Sequence, residues 1–206
     1  MALRSVPATL AVATPDWRET LPVLTSALVS LRELRVSDAP ALRQVLTTEE
    51  VTRFISAPPA SVQGFEQFIQ WSNAQRAAGE QICFGVVPHG GDTPIGIIQV
   101  RQLAHGFDVA EWGFALAQAF WGTGLFHEAA ELVLAFAFES MGVRRLEARS
   151  AVANGRGNGA LGKLGAVREG VLRKSVSCGG QRLDQVLWSI LAVEWALRRR
   201  PAITVH

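Results

Sequence analysis

Tyrosine is absent from the 206 residues, so a phenolic acid or base is excluded from whatever chemistry the chain performs. Cysteine is scarce. Cys83 and Cys178 are far apart and neither belongs to a CxxC pair, which argues against a zinc site and suits a compartment with reduced thiols. No apolar run reaches the roughly 18 residues that a membrane-spanning helix needs. The start, MALRSVPATLAVATPDW, has a short apolar patch broken by Pro7 and followed by Asp16, a poor secretion signal. A cytoplasmic protein with no metal and no membrane association is therefore expected. One-sided charge is lacking as well. The net charge is +2, and the densest basic cluster, Arg198-Arg199-Arg200, reads as the end of a helix, where cations favour the C-terminal dipole. A nucleic-acid partner is not expected.

What remains is a chain with 49% apolar and 18% charged residues, the balance of a globular enzyme with a core large enough to stand alone. Its organising stretch is Ala110–Ala130, AEWGFALAQAFWGTGLFHEAA. Glu111, Gly113, Ala115 and Ala117 alternate with Trp112, Phe114 and Leu116, a strand period. Trp121-Gly122-Thr123-Gly124 then forms a turn, and from Leu125 the period becomes helical. Glu128, Glu131 and Glu139 fall on one side of that helix, and Leu125, Leu132 and Phe136 on another. Glycines at a helix start let a ligand approach the backbone. The unpaired N–H groups of the first turn, with the helix dipole, favour an anion such as a pyrophosphate.

The other elements follow in order. Residues 1–22, with Pro7, Pro15 and Pro22, read as an extension; 23–195 form one domain; 196–206 form a tail. Val23–Leu34 reads as one strand, Ser37-Asp38 as a helix cap before Ala41–Leu46, and Ser61 as the start of a helix running to about Ala78. Gln81–Val87, Pro94–Leu103 and the strand through Glu111 form a meander. Arg144–Val152 is a strand, Asn154–Leu164 a glycine-interrupted helix, and Ala166–Ser177 and Arg182–Val193 two long strands around Cys178-Gly179-Gly180. Helices separate only some strands. The fold class is α+β with a mixed sheet, not a doubly wound parallel one.

Gly157-Asn158-Gly159-Ala160-Leu161-Gly162-Lys163 satisfies G-x-G-x-x-G, and it matches G-x-x-x-x-G-K except that Leu164 stands where a hydroxyl residue belongs. Both nucleotide patterns require a parallel βαβ unit, and here a hairpin follows. The segment reads instead as a helix weakened by its glycines.

Leu28-Val29-Ser30-Leu31-Arg32 with Ser37-Asp38, Phe120-Trp121-Gly122-Thr123-Gly124-Leu125 with Glu128-Ala129, Asn154, Lys163-Leu164-Gly165, Glu169-Gly170, and Asp184 before Trp188 occur in one order. Together they resemble the GNAT superfamily of N-acetyltransferases, in the RimJ/RimL branch that acetylates ribosomal-protein N-termini. The resemblance covers about residues 23–195. It implies a GNAT fold with a mixed, mostly antiparallel sheet of about seven strands flanked by helices, and acetyl-CoA as co-substrate. Carried over to this chain, it places the pantetheine arm along Phe114, Ala115 and Leu116. The pyrophosphate falls on the backbone N–H groups of Gly122, Thr123, Gly124, Leu125 and Phe126, Trp121 also belongs to the cofactor site, and Asn154 and Asn158 lie near the arm. The branch usually has Ser at the position of Gly157 and Phe at that of Ala166.

The implied reaction is direct attack of an amine on the thioester. A base must take a proton from the ammonium, and Glu111 is the candidate, since the family often has an acid there. A half-exposed strand glutamate is the plainer reading of the same residue. His127 lies on the first helical turn, where the dipole disfavours its cation. Cys178 sits in a turn with no base beside it. Glu169 and Asp184 either shape the acceptor side or pair with arginines. Trp71, Trp112 and Trp188 either line a pocket or belong to core and rim. Three functions stay open: acetylation of a protein or peptide N-terminus, acetylation of a small amine such as an antibiotic or polyamine, and acyl-CoA sensing without turnover. A homodimer through the last strands is a family expectation.

Overall fold

The computed structural model describes residues 16–199. It opens with a small hairpin, β1 (Leu24–Thr25) against β2 (Val29–Glu33), with Leu24 opposite Leu31. The single strand expected over Val23–Leu34 is therefore two. Ser26 makes the break: its backbone N–H donates to the Val29 carbonyl at 2.9 Å, and its hydroxyl accepts the Val29 N–H at 3.2 Å. A side chain that satisfies the backbone locally competes with the ladder, and strand periodicity does not register it.

Helices α1 (Ala39–Leu46), α2 (Glu49–Thr52) and α3 (Val62–Ala77) follow. Ser61 caps α3 as expected, accepting the Gly64 N–H at 3.0 Å. Asp38 does not cap α1. It accepts two N–H groups of the Arg32 guanidinium at 2.8 and 2.9 Å and the Arg35 N–H at 2.8 Å, closing a tight turn ahead of the helix. Arg32 is buried, and the Asp38 carboxylate raises its pKa above the usual arginine value.

Strands β3 (Gln81–Pro88), β4 (Gly96–Gln102) and β5 (Val109–Leu116) form the meander, and α4 (Leu125–Ala135) leaves the sheet. Then come β6 (Arg145–Ala151), α5 (Gly155–Lys163), β7 (Val167–Cys178), β8 (Gln181–Leu191) and α6 (Ala192–Arg199). The eight strands lie in the order β1-β2-β3-β4-β5-β6-β8-β7. All neighbours are antiparallel except β5 and β6, which are joined by the α4 crossover that a parallel pair requires.

One face of the sheet packs on α1 and α3 through Leu34, Leu42, Phe65, Ile69 and Cys83. The other packs on α4 through Phe84, Ile98, Trp112, Val133 and Leu134. Of the apolar stripe expected on this helix, Phe136 is buried and Leu125 and Leu132 are partly buried against the core, while Ala129, Ala130, Val133 and Leu134 form its fully buried face. Trp17 and Leu21, within the expected extension, are core residues; Trp17 meets Phe107 edge to face at 5.5 Å. Ala196–Arg199 of the expected tail continue α6. Pro7, Pro15 and Arg200 lie outside the described residues.

Candidate functional site

β5 and β6 pair over only three residues, Val109–Glu111 against Arg145–Glu147. Beyond Glu111 the strands part, while β5 stays paired to β4 as far as Leu116. Phe114–Leu116 thus keep one edge that β6 leaves unpaired, facing a cleft of about 720 Å³, and on it, among the described residues, only the Leu116 carbonyl is taken, by the Trp121 indole N–H.

The floor of that cleft is the glycine turn. Gly122 (φ 78°) and Gly124 (φ 89°) both adopt the left-handed conformation that side chains disfavour. The Trp121 indole N–H donates to the Leu116 carbonyl at 2.7 Å, and the Thr123 hydroxyl donates to the Phe120 carbonyl at 2.8 Å. The first backbone bond of α4 runs from the Glu128 N–H to the Gly124 carbonyl at 3.2 Å. The N–H groups of Leu125, Phe126 and His127 therefore have no acceptor within the helix, and no side chain caps it. Phe114 and Phe126 pack with ring centroids 4.3 Å apart and fix the helix start to the strand. Glu128 holds the same turn from outside. It accepts the Ser26 hydroxyl at 2.6 Å and the Leu28 N–H at 2.9 Å, and these bonds, the Ser26 one first, lower its pKa.

Of the residues expected at this site, the cleft is lined by Phe114, Ala115, Leu116, Trp121, Gly122, Gly124, Phe126 and Asn154. Thr123 and Leu125 are absent from its lining; one closes the turn and the other packs on the core. Asn158 is absent too. Its amide donates to the Ala151 and Asn154 carbonyls at 2.9 Å, and its oxygen accepts the Trp188 indole N–H at 2.9 Å. It is a pin between β6, α5 and β8. Asn154 caps α5, accepting the Gly157 N–H at 2.9 Å. A Cβ at Gly157 would stand 2.6 Å from the Asn154 amide nitrogen and 2.9 Å from the Ser150 hydroxyl. That crowding is the physical reason for glycine at this position.

Sequence reasoning missed the cations. Arg53, Arg156 and Lys163 line the cleft together with His127, against the single acid Glu50. The Arg156 guanidinium lies 4.7 Å from the centroid of the Trp121 ring. Lys163 ends the misleading glycine-rich segment and Arg156 immediately precedes it, which was the one available signal.

Glu111 faces elsewhere. It lines a second cavity of about 510 Å³ with Gln99, Arg101, Arg149, Ser175 and Gln185. Both its oxygens are ion-paired, Oε1 with Arg149 at 2.9 Å and Oε2 with Arg101. Trp112 and Gly113 line this cavity and Phe114 lines the cleft, so the two spaces meet along consecutive residues of β5. Glu169 pairs with Arg145 and accepts the Ser189 hydroxyl at 2.6 Å; the Arg145 bonds above all pull its pKa down to about 2. Asp184 accepts the Lys174 N–H at 2.8 Å. Cys83 is buried and its thiol is pushed up to about 12 by that burial. Cys178 ends β7, not the turn, and its sulfur lies 2.8 Å from the Ile55 carbonyl oxygen. Trp188 pins Asn158, Trp112 lines the second cavity, and Trp71 is half exposed on α3. No group of three or more His, Cys, Asp or Glu side chains suited to a metal occurs among the described residues. No helix among them is long and apolar enough to cross a membrane.

A sheet split between its only parallel pair, over an open helix N-terminus, is the architecture of an acyl-CoA N-acyltransferase. The sequence matches the family described as Acetyltransferase (GNAT) domain over residues 29–167. The chain belongs to that family and is an N-acetyltransferase. It is 27% identical over 169 residues to Uncharacterized N-acetyltransferase p20 of Bacillus licheniformis, covering 82% of this chain and 95% of the relative. Its fold is similar to Mycobacterium smegmatis RimJ in complex with CoA-disulfide (TM-score 0.77, 21% identity, 84% and 88% of the two chains). It is also similar to the ribosomal-protein-S5-alanine acetyltransferase of Vibrio fischeri (TM-score 0.76, 18% identity, 87% and 100%).

Proposed function

We propose that the chain transfers an acetyl group from acetyl-CoA to the N-terminal amine of a protein or peptide. The carrying observation is the edge of Phe114–Leu116 left unpaired by β6 and leading into the uncapped start of α4. An amide-rich pantetheine arm has there the partners that β6 withholds. A pyrophosphate has the N–H groups of Leu125, Phe126 and His127 and the helix dipole. Arg53, Arg156 and Lys163 add the charge that a multiply phosphorylated ligand requires. The CoA compound bound by the M. smegmatis neighbour supports the same choice, and the V. fischeri neighbour's named activity supports a protein acceptor.

In this reading the acceptor amine enters from the second cavity and meets the thioester beside Gly113. Glu111 takes the ammonium proton, directly or through water, while keeping its arginines. The amine nitrogen forms the new C–N bond and gives up its second proton to solvent, the C–S bond breaks, and CoA leaves as thiolate, to be protonated from solvent. With no tyrosine in the chain, no phenol takes part. The test is thiol release from acetyl-CoA with a panel of N-terminal peptides and small amines. Peptide turnover that falls about 10²-fold in Glu111→Gln is expected. Unchanged turnover in that variant discards Glu111 as base. Turnover of small amines alone moves the acceptor class, and tight acetyl-CoA binding with no thiol release from any amine makes the chain a sensor.

A further inference from the structure

The second cavity sits at one end of a row of ion pairs that crosses the sheet. Arg101 on β4 pairs with Glu111 on β5, Glu111 with Arg149 on β6, Arg149 with Glu147, Glu147 with Arg145, and Arg145 with Glu169 on β7. The register explains the row. Arg101 is directly opposite Glu111, an attractive pair, but Glu111 is directly opposite Glu147, a repulsive one that Arg149 must bridge. Three arginines and three glutamates alternate, so the interior of the row is neutral.

Its two ends differ. Glu169 is closed off by Arg145 and the Ser189 hydroxyl. Among the described residues the Arg101 side chain is ion-paired with Glu111 alone, and it is 52% exposed, against 29% for Arg149 and 15% for Glu111. A guanidinium carries five N–H donors in a fork suited to a carboxylate. Of the charges lining the cavity, Arg101 is the most exposed, while Arg149 is held between Glu111 at 2.9 Å and Glu147 at 3.5 Å. The only acid lining it, Glu111, has both oxygens on arginines, so no unengaged carboxylate is available for a second ammonium. Gln99, Ser175 and Gln185 complete the wall with neutral polar groups.

We propose that the acceptor cavity selects amines that carry a carboxylate close to the reacting nitrogen, with Arg101 receiving it, and discriminates against polycationic amines. This rests on the reading of that cavity as the acceptor site. The carboxylate is supplied either by an acidic side chain on an N-terminal residue or by the α-carboxylate of a free amino acid, and the test separates these.

The full chain is titrated calorimetrically, with acetyl-CoA absent, against C-terminally amidated peptides that differ only in an N-terminal Asp, Asn or Lys, and against free asparagine. Thiol release from acetyl-CoA is then measured with each. The Asp peptide is expected to bind about tenfold more tightly than the Asn peptide, the worth of one charge-assisted hydrogen bond at a half-exposed site, with the Lys peptide weakest. Free asparagine matching the Asp peptide assigns the carboxylate to an amino acid acceptor; asparagine matching the Asn peptide assigns it to a peptide side chain. In Arg101→Gln the ratio of Asp-peptide to Asn-peptide affinity falls within twofold, and Arg101→Lys restores part of it. Equal binding of Asp and Asn peptides by the wild type, or a preference that survives Arg101→Gln, overturns the proposal. A preference that persists with no thiol release from any amine supports it and overturns acetyl transfer.

Discussion

Two glycine-rich helix starts stand side by side in this protein and behave in opposite ways. At the start of α4, Gly122 and Gly124 are left-handed, no side chain caps the helix, and three N–H groups are left open. At the start of α5, Gly155, Gly157, Gly159 and Gly162 all keep ordinary backbone angles, and Asn154 takes the Gly157 N–H. The second segment carries the better-known phosphate signatures and the first carries the open donors. Glycine spacing does not make an anion site. Unsatisfied N–H groups at the end of a dipole favour one, and at α5 the Asn154 side chain takes one of these groups and the Ala153 carbonyl another.

The sharpest way to break this comparison is Gly157→Ala. The new methyl would stand 2.6 Å from the Asn154 amide nitrogen, so the cap must move. A loss of about 1–3 kcal/mol is expected in urea unfolding, and a variant as stable as the wild type sinks the packing account of that glycine. Gly124→Ala comes next. Its methyl meets only Leu28 at 3.7 Å, so the cost is backbone strain, about 1–2 kcal/mol. If the left-handed turn positions the donors, acetyl-CoA affinity measured by calorimetry falls about tenfold. Gly162→Ala has the opposite sign. Its methyl would meet only the Trp188 ring at 3.9 Å, an ordinary contact, and the residue does not line the cleft, so replacing a helical glycine should add up to about 1 kcal/mol without touching acetyl-CoA binding.

The smallest effect concerns how the open α4 start is held. Glu128 does so by gripping the β1–β2 hairpin, which lowers its pKa below the ordinary carboxylate value. A group with a lowered folded-state pKa contributes stability above its unfolded value, about 4.3, and loses it as pH falls through the folded one. Glu128→Gln should therefore be less stable than wild type at pH 7, with the gap closing toward pH 3. A gap that stays constant between urea midpoints at those two pH values would show that the carboxylate charge contributes nothing.

How much of this was legible beforehand depended on distance along the chain. Ser61 and Asn154 each satisfy an N–H three residues ahead, and such caps can be read from adjacent letters. Asp38 looked like the same device and is not one, because Arg32, brought alongside by the strand, outcompetes the helix for it. The Ser26 break escaped notice because two residues suffice for it. Asn158 read equally well as ligand contact and as turn former. Its role as a pin needs Trp188, thirty residues on and reachable only once β8 lies beside β6.

The sequence alone determined the turn that opens α4, the strand feeding it, the α+β class and the family. Each rests on local conformational preference or on the order of short motifs. Only the tertiary structure decided that Glu111 opens on a different space from the glycine turn, and that Arg101, Arg149, Arg156 and Arg53 attend the two spaces. Charges interact across strands according to register, and register is set by the packing of the whole sheet, not by neighbours in the chain.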